Sequence, residues 1–278
     1  MASSLASHLC AFIFFFPVGV RRLHSFFSFY LNNSPSSSFR SKVWYSSSST
    51  STIIRNLDLY ILLIALPIAS FSDLYLFFSI LPHRIPFLHH YALLTFFWLL
   101  LLLLLLHDSL LLLPLPDTFL FLFAATAFLL DFYLVVDNDH DGDLVSSVAY
   151  HLSASLSLLC GASCVFLSVC PCSFLADFAL STGLVFKGVW ILQVGFNLYS
   201  DAFTFMGCKK NIEGRVKCDL QEDTLRAITL INLLFVSHAI GIVFGSFALF
   251  GFLSCTRAVT RIPNVATGPL LEALNNPI

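Results

Sequence analysis

FKGVWILQVGFNLYSDAFTFMGCKKNIEGRVKC, residues 186–218, begins as a hydrophobic helix and ends as a charged loop bracketed by Cys208 and Cys218. At 100° per residue Trp190, Gln193 and Asn197 fall within about 60° of one another, while Gly188 and Gly195 share a narrow stripe on the far side. One face carries amides and the other allows a second backbone to approach closely. An unpaired amide in hydrocarbon is costly, so the Gln193 and Asn197 face is expected to point at other helices and not at lipid. The stretch therefore reads as an inner helix of a bundle.

Composition agrees with that reading. Of 278 residues, 58% are hydrophobic and 11% charged, with a mean hydropathy of +0.87. A globule of this size cannot bury so much apolar side chain, so lipid must solvate much of it. A net charge of -2 and the lack of a basic stripe among exposed aromatics set nucleic acid aside as a partner. Eight cysteines are too few for a disulfide-framed secreted domain.

The expected fold class is an all-α transmembrane bundle of about seven spans. The first span ends at residue 22. Its apolar run from Leu5 to Val20 is followed, not preceded, by the charges Arg21 and Arg22, which favours a retained span over a cleaved signal peptide. Residues 23–56 are Ser-rich, with Arg40 and Lys42 and no acid before residue 52, and read as a cytosolic connector; a transit peptide shares that composition. Six further spans fill 57–255, and a cytosolic tail occupies 256–278.

Within the second span, about Leu57 to Ile80, Pro67 frees the carbonyl of Leu63, which a neighbouring helix or water must satisfy. Asp73 lies inside the same span, where a central Asp costs about 2.5–3.5 kcal/mol. The third span, about Tyr91 to Leu106, ends in eight leucines and reads as lipid-facing. The fourth, about Thr118 to Val136, holds Asp131, expected to snorkel or to pair with His151 at the start of the fifth. Asp137 to Asp143 (DNDHDGD) imitates the opening of a calcium loop. Val148 stands where the closing Glu belongs, so a solvated acidic turn is the default.

The fifth span runs from about Tyr150 to Val169 with Cys160 and Cys164 as small packing residues. Cys170, Cys172 and Cys255 flank spans and are candidates for acylation. In the sixth span, Leu180 to Tyr199, Lys187 lies early enough to snorkel. The seventh, Ala227 to Leu253, carries Asn232, Ser237 and His238.

Seven spans place the termini on opposite sides. With a lumenal N-terminus the cytosolic segments carry Arg21, Arg22, Arg40, Lys42, Arg55, Arg257 and Arg261, against Arg84, Lys209, Lys210, Arg215, Lys217 and Arg226 in the lumen, which is nearly a tie. Arg21 and Arg22 directly after the first span tip the balance. That orientation puts Cys208 and Cys218 in an oxidising lumen, where a disulfide between them would persist.

Three blocks carry a family resemblance: SHLCAFIFFFPVG (7–19); AATAFLLDFYL followed by Asp139, His140, Gly142, Tyr150 and His151; and FKGVWILQVGFNLY followed by GCKKNIEGRVKCDLQEDTLRAITLIN (207–232). With them the chain resembles the transmembrane protein 45-like family, in particular its plant branch of viral-response proteins. The resemblance implies a multi-pass protein of an endomembrane (Golgi or secretory pathway) or the plasma membrane, with no established catalytic activity.

Three functions compete. The first is a non-enzymatic membrane protein with a role in plant viral or stress response. It needs no catalytic residue, cofactor or metal, and its partner is the lipid bilayer. Protein partners are not legible, and homo-oligomerisation is left open. The second is a small-solute or ion carrier using Asp73, Asp131, Gln193, Asn197 and His238 as a polar path. The third is an intramembrane metal-dependent hydrolase built from His140, His151, His238, Asp131 and Ser237. Against the third, no two of those histidines are spaced i, i+4.

Overall fold

A glycine seam joins the first long helix to the sixth, and the other elements arrange themselves around it. The structure, a computed structural model, describes residues 2–32, 39–45, 57–79, 85–109, 116–137, 144–200, 203, 205–210 and 216–266. In chain order the described elements are α1 (Ala2–Asn32), α2 (Leu57–Ser79), α3 (Ile85–Ser109), α4 (Asp117–Asp137), α5 (Leu144–Val169), α6 (Phe174–Tyr199), β1 (Cys208–Lys210), β2 (Val216–Cys218) and α7 (Gln221–Ala266). Among the described residues the architecture is all-α apart from the antiparallel pair β1–β2.

Five helices, α1, α4, α5, α6 and α7, are long and apolar enough to cross a membrane. The described apolar runs of α2 (Leu59–Phe71) and α3 (Tyr91–His107) are shorter.

Gly188 and Gly195 face α1, and the reason for glycine is steric. A Cβ at Gly188 would lie 2.7 Å from the Phe16 backbone nitrogen, and one at Gly195 would lie 2.8 Å from the His8 Cβ. From the other side, a Cβ at Gly19 would lie 2.6 Å from the Val185 nitrogen. Small residues of this kind let membrane helices pack backbone to backbone.

The two helices run antiparallel. His8 sits beside Tyr199, with ring centroids 5.4 Å apart, and at the other end Phe26 meets Phe174 at 4.9 Å. One end of the bundle thus carries the start of α1 and the β1–β2 hairpin. The opposite end carries segment 39–45 and the α5–α6 turn, joined where the Ser41 backbone N–H donates to the Pro171 carbonyl at 2.7 Å. Phe26, Phe27, Phe29, Phe39, Phe174 and Phe250 form an aromatic cluster at that end.

α1 does not stop at residue 22. It continues to Asn32, so Arg21 and Arg22 lie within a helix and the expected connector starts ten residues late. The physical reason is that Arg22 is neutralised inside the protein, as described below, and Phe26 and Phe27 beyond it are fully buried. Arg22 is thereby withdrawn from the flanking charges that would set orientation.

The Pro67 expectation is met. Trp98 of α3 donates its indole N–H to the Leu63 carbonyl at 3.1 Å, supplying the bond that the proline removes. α4 and α5 pack closely, a Cβ at Gly161 lying 3.4 Å from the Leu129 side chain and 3.5 Å from the Phe128 Cβ, and both helices bury small residues, among them Ala124, Ala125 and Ala127 on α4 and Ser157 and Cys164 on α5. α7 lies on the outside: Leu233, Val236, Ile240, Phe244 and Phe247 are exposed, and a methyl added at Gly241 or Gly245 would meet no atom of the described residues within 4 Å.

Candidate functional site

Lys187 does not snorkel. It is 1% exposed and buried between helices, where its ammonium donates to Asp131 Oδ2 at 2.5 Å and to Ser157 Oγ at 2.6 Å. Ser157 in turn donates to the same Asp131 oxygen at 2.7 Å. Three helices, α4, α5 and α6, each contribute one member. Asp131 therefore pairs with Lys187 and not, as the spacing suggested, with His151, whose side chain is exposed. An aspartate in mid-helix is tolerated because a lysine two helices later cancels its charge.

The Lys187–Asp131 pair borders a cavity of about 450 Å³. Ser7, His8, Tyr150 and Ser153 add polar groups to its wall, and Leu62, Leu66, Leu93, Leu94, Phe97 and Ile191 make most of the rest apolar. The volume lies within the roughly 300–1,000 Å³ typical of small-molecule sites. Asp131 Oδ2 takes both bonds just described, and among the described residues none donates to Oδ1. Lys187 has one N–H left over, near the Phe15 ring, whose centroid is 5.3 Å away.

A second charge cluster lies at the other end of α6. Asp177, in the first helical turn, is fully buried and accepts from three donors: Arg22 Nη2 at 2.6 Å on Oδ1, and Ser41 Oγ at 2.6 Å and the Tyr45 hydroxyl at 2.5 Å on Oδ2. Arg22 also donates to the Val43 carbonyl at 2.5 Å. Arg21 donates to the Tyr45 carbonyl at 3.1 Å and lies over the Trp44 ring at 4.4 Å. The cluster pins segment 39–45 across the end of the bundle. Burial, and after it the Asp177 carboxylate, raises the Tyr45 phenol above its ordinary value.

The other expected site residues are scattered. Gln193 donates to Asn197 at 2.8 Å, so this amide pair is partly satisfied within its own helix, while the Asn197 amide nitrogen is buried without an acceptor among the described residues. Asn232 is exposed on α7. His238 is half-buried, its Nδ1 2.7 Å from the Leu234 carbonyl of the same helix and its ring edge-on to Trp190 at 6.2 Å. The side chain of Asp73 lies outside the described residues, as do His140 and the calcium-loop imitation from 138 to 143.

Among the described residues, which leave out His140, no group of three or more His, Cys, Asp or Glu side chains is placed to hold a metal ion. Cys170, Cys172 and Cys255 are free and exposed, as an acyl transfer to them would require. Cys208 and Cys218 face each other across β1–β2 and form a disulfide. Lys210 closes that end by donating to the Ser200 carbonyl at 2.5 Å and the Phe203 carbonyl at 2.9 Å, just past the C-terminus of α6.

The site's central residues, Lys187, Ser157, Asp177 and Arg22, escape a reading made one span at a time. The signal that finds them is a balance: twice over, an acid on one predominantly apolar helix is matched by a base on another, Asp131 with Lys187 and Asp177 with Arg22.

No curated protein matches the chain. Residues 117–251, from α4 into α7, match a protein family described as a family of unknown function, DUF716. Over that stretch, which holds Asp131, Ser157, Asp177 and Lys187 but neither Arg22 nor segment 39–45, the chain is similar to a family for which no activity is stated.

Proposed function

We propose that this chain is a non-enzymatic, seven-span protein of an endomembrane (Golgi or secretory pathway) or the plasma membrane, acting in plant viral or stress response. The family resemblance supports the setting, since the family matched by residues 117–251 is the one that transmembrane protein 45 proteins carry. The observation that supports a non-catalytic role is the use of charge. Asp131 is engaged by Lys187, and Asp177 by Arg22, and each pair ties different helices together. The N-terminus is lumenal in this reading, on the same side as the disulfide hairpin, to which the α1–α6 packing brings it.

The test is direct. Purified protein in nanodiscs is incubated with a plant membrane lipid extract and the products are followed by mass spectrometry. Composition should stay unchanged. A product that forms with the wild type and is lost in a folded Asp131→Asn variant would overturn the proposal.

One observation favours a carrier instead: the cavity beside Lys187 and Asp131. A carrier must open that space to each side in turn, so flux into proteoliposomes separates the two readings.

A further inference from the structure

The cavity walls leave hydrogen-bonding capacity unused at one place. Asp131 and Lys187 are 6% and 1% exposed, yet both line the cavity. Asp131 Oδ1 lacks a donor among the described residues and Lys187 retains one N–H. A spare acceptor and a spare donor on neighbouring side chains match a hydroxyl, which donates and accepts through one oxygen.

Charge narrows the ligand further. Lys187 and Asp131 are paired and their charges cancel, so a ligand with a carboxylate or ammonium head would bring an added charge to a site whose own ion pair is already balanced. A neutral head adds none. The remaining walls, Leu66, Leu94, Phe97 and Ile191 among them, suit an extended apolar body. The ligand would come from the bilayer, where such molecules are dissolved.

We infer that the cavity binds an uncharged membrane alcohol, its hydroxyl placed between Asp131 Oδ1 and Lys187 Nζ and its hydrocarbon body lying between α1, α2 and α3. Sterols and diacylglycerols share that chemistry. The inference goes beyond the non-enzymatic reading, since binding requires no turnover.

Photoaffinity labelling of the full chain in nanodiscs tests it. Three probes carry the same photoreactive and alkyne groups: a sterol, a diacylglycerol and a fatty acid, the last with a charged head. At least one alcohol probe should label the protein, be displaced by its unlabelled parent, and exceed the fatty acid about tenfold. Ala65 lines the cavity from α2, whereas the charged pair stands on α4 and α6, so Ala65→Trp narrows the space while leaving both charged side chains in the sequence. It should cut labelling about tenfold, and Asp131→Asn should do so too if it remains folded. Which alcohol labels identifies the source. Labelling that survives Ala65→Trp, or a fatty acid that labels as well as either alcohol, overturns the inference.

Discussion

Replacing Asp177 by alanine removes the acceptor for three donors at once. Arg22, whose side chain is 8% exposed, then keeps a buried guanidinium with the Val43 carbonyl as its one hydrogen-bond acceptor among the described residues, and the hydroxyls of Ser41 and Tyr45 lose their carboxylate partner. Breaking a buried pair by removing one member costs about 3–5 kcal/mol, most of it the stranded charge. For a protein of this size that lowers the melting temperature by roughly 6–20 °C. Removing both charges together, in Arg22→Met with Asp177→Ala, should recover much of the loss, because no lone charge remains. Fluorescence-detected size exclusion after heating in detergent measures all four members of the cycle. A coupling of about 2 kcal/mol or more is expected. If Asp177→Ala melts within about 2 °C of the wild type, or if the double variant loses the sum of the singles, the cluster does not hold the end of the bundle.

Four further outcomes follow from other contacts. Gly19→Ala and Gly188→Ala push a methyl into the backbone of the facing helix and should each cost about 1–3 kcal/mol, while Gly241→Ala, with open space around it, stays within about 0.5 kcal/mol; thermal melts compare them directly. Trp98→Phe strands the Leu63 carbonyl and should cost about 1–3 kcal/mol, again read by melting. The Tyr45 phenol is raised in the folded protein, so its contribution is complete below the unfolded value of about 10 and is lost as pH rises above it, by up to about 1.4 kcal/mol per pH unit; Tyr45→Phe should flatten the decline in stability above pH 10. Maleimide labelling of denatured protein without reductant should spare Cys208 and Cys218, and reductant should add two reactive thiols.

What sequence could reveal here followed from local rules. The glycine stripe of α6 and the need of the Leu63 carbonyl for a partner rest on geometry within one helix, and the pairing of Cys208 with Cys218 on a short loop assigned to an oxidising lumen; the structure contains the close glycine packing, the Trp98 bond and the disulfide. The charge clusters rest on contacts between residues 56 and 155 positions apart, and no periodicity within a span reports on these. Lys187 looked like a snorkelling lysine and Arg22 like a flanking charge because each was weighed against water, its usual partner near an interface. In the bundle, each finds an aspartate before it finds water.

The pairing of Arg22 with Asp177 also sets a schedule for biosynthesis. The arginine leaves the ribosome 155 residues ahead of the aspartate that neutralises it. At about 5–20 residues per second, the first helix waits on the order of ten to thirty seconds with its guanidinium uncompensated. Throughout that interval the nascent chain is a poor guest for the bilayer. Water and lipid headgroups must solvate the arginine until its mate arrives, and a product truncated before α6 would keep that charge unpaired.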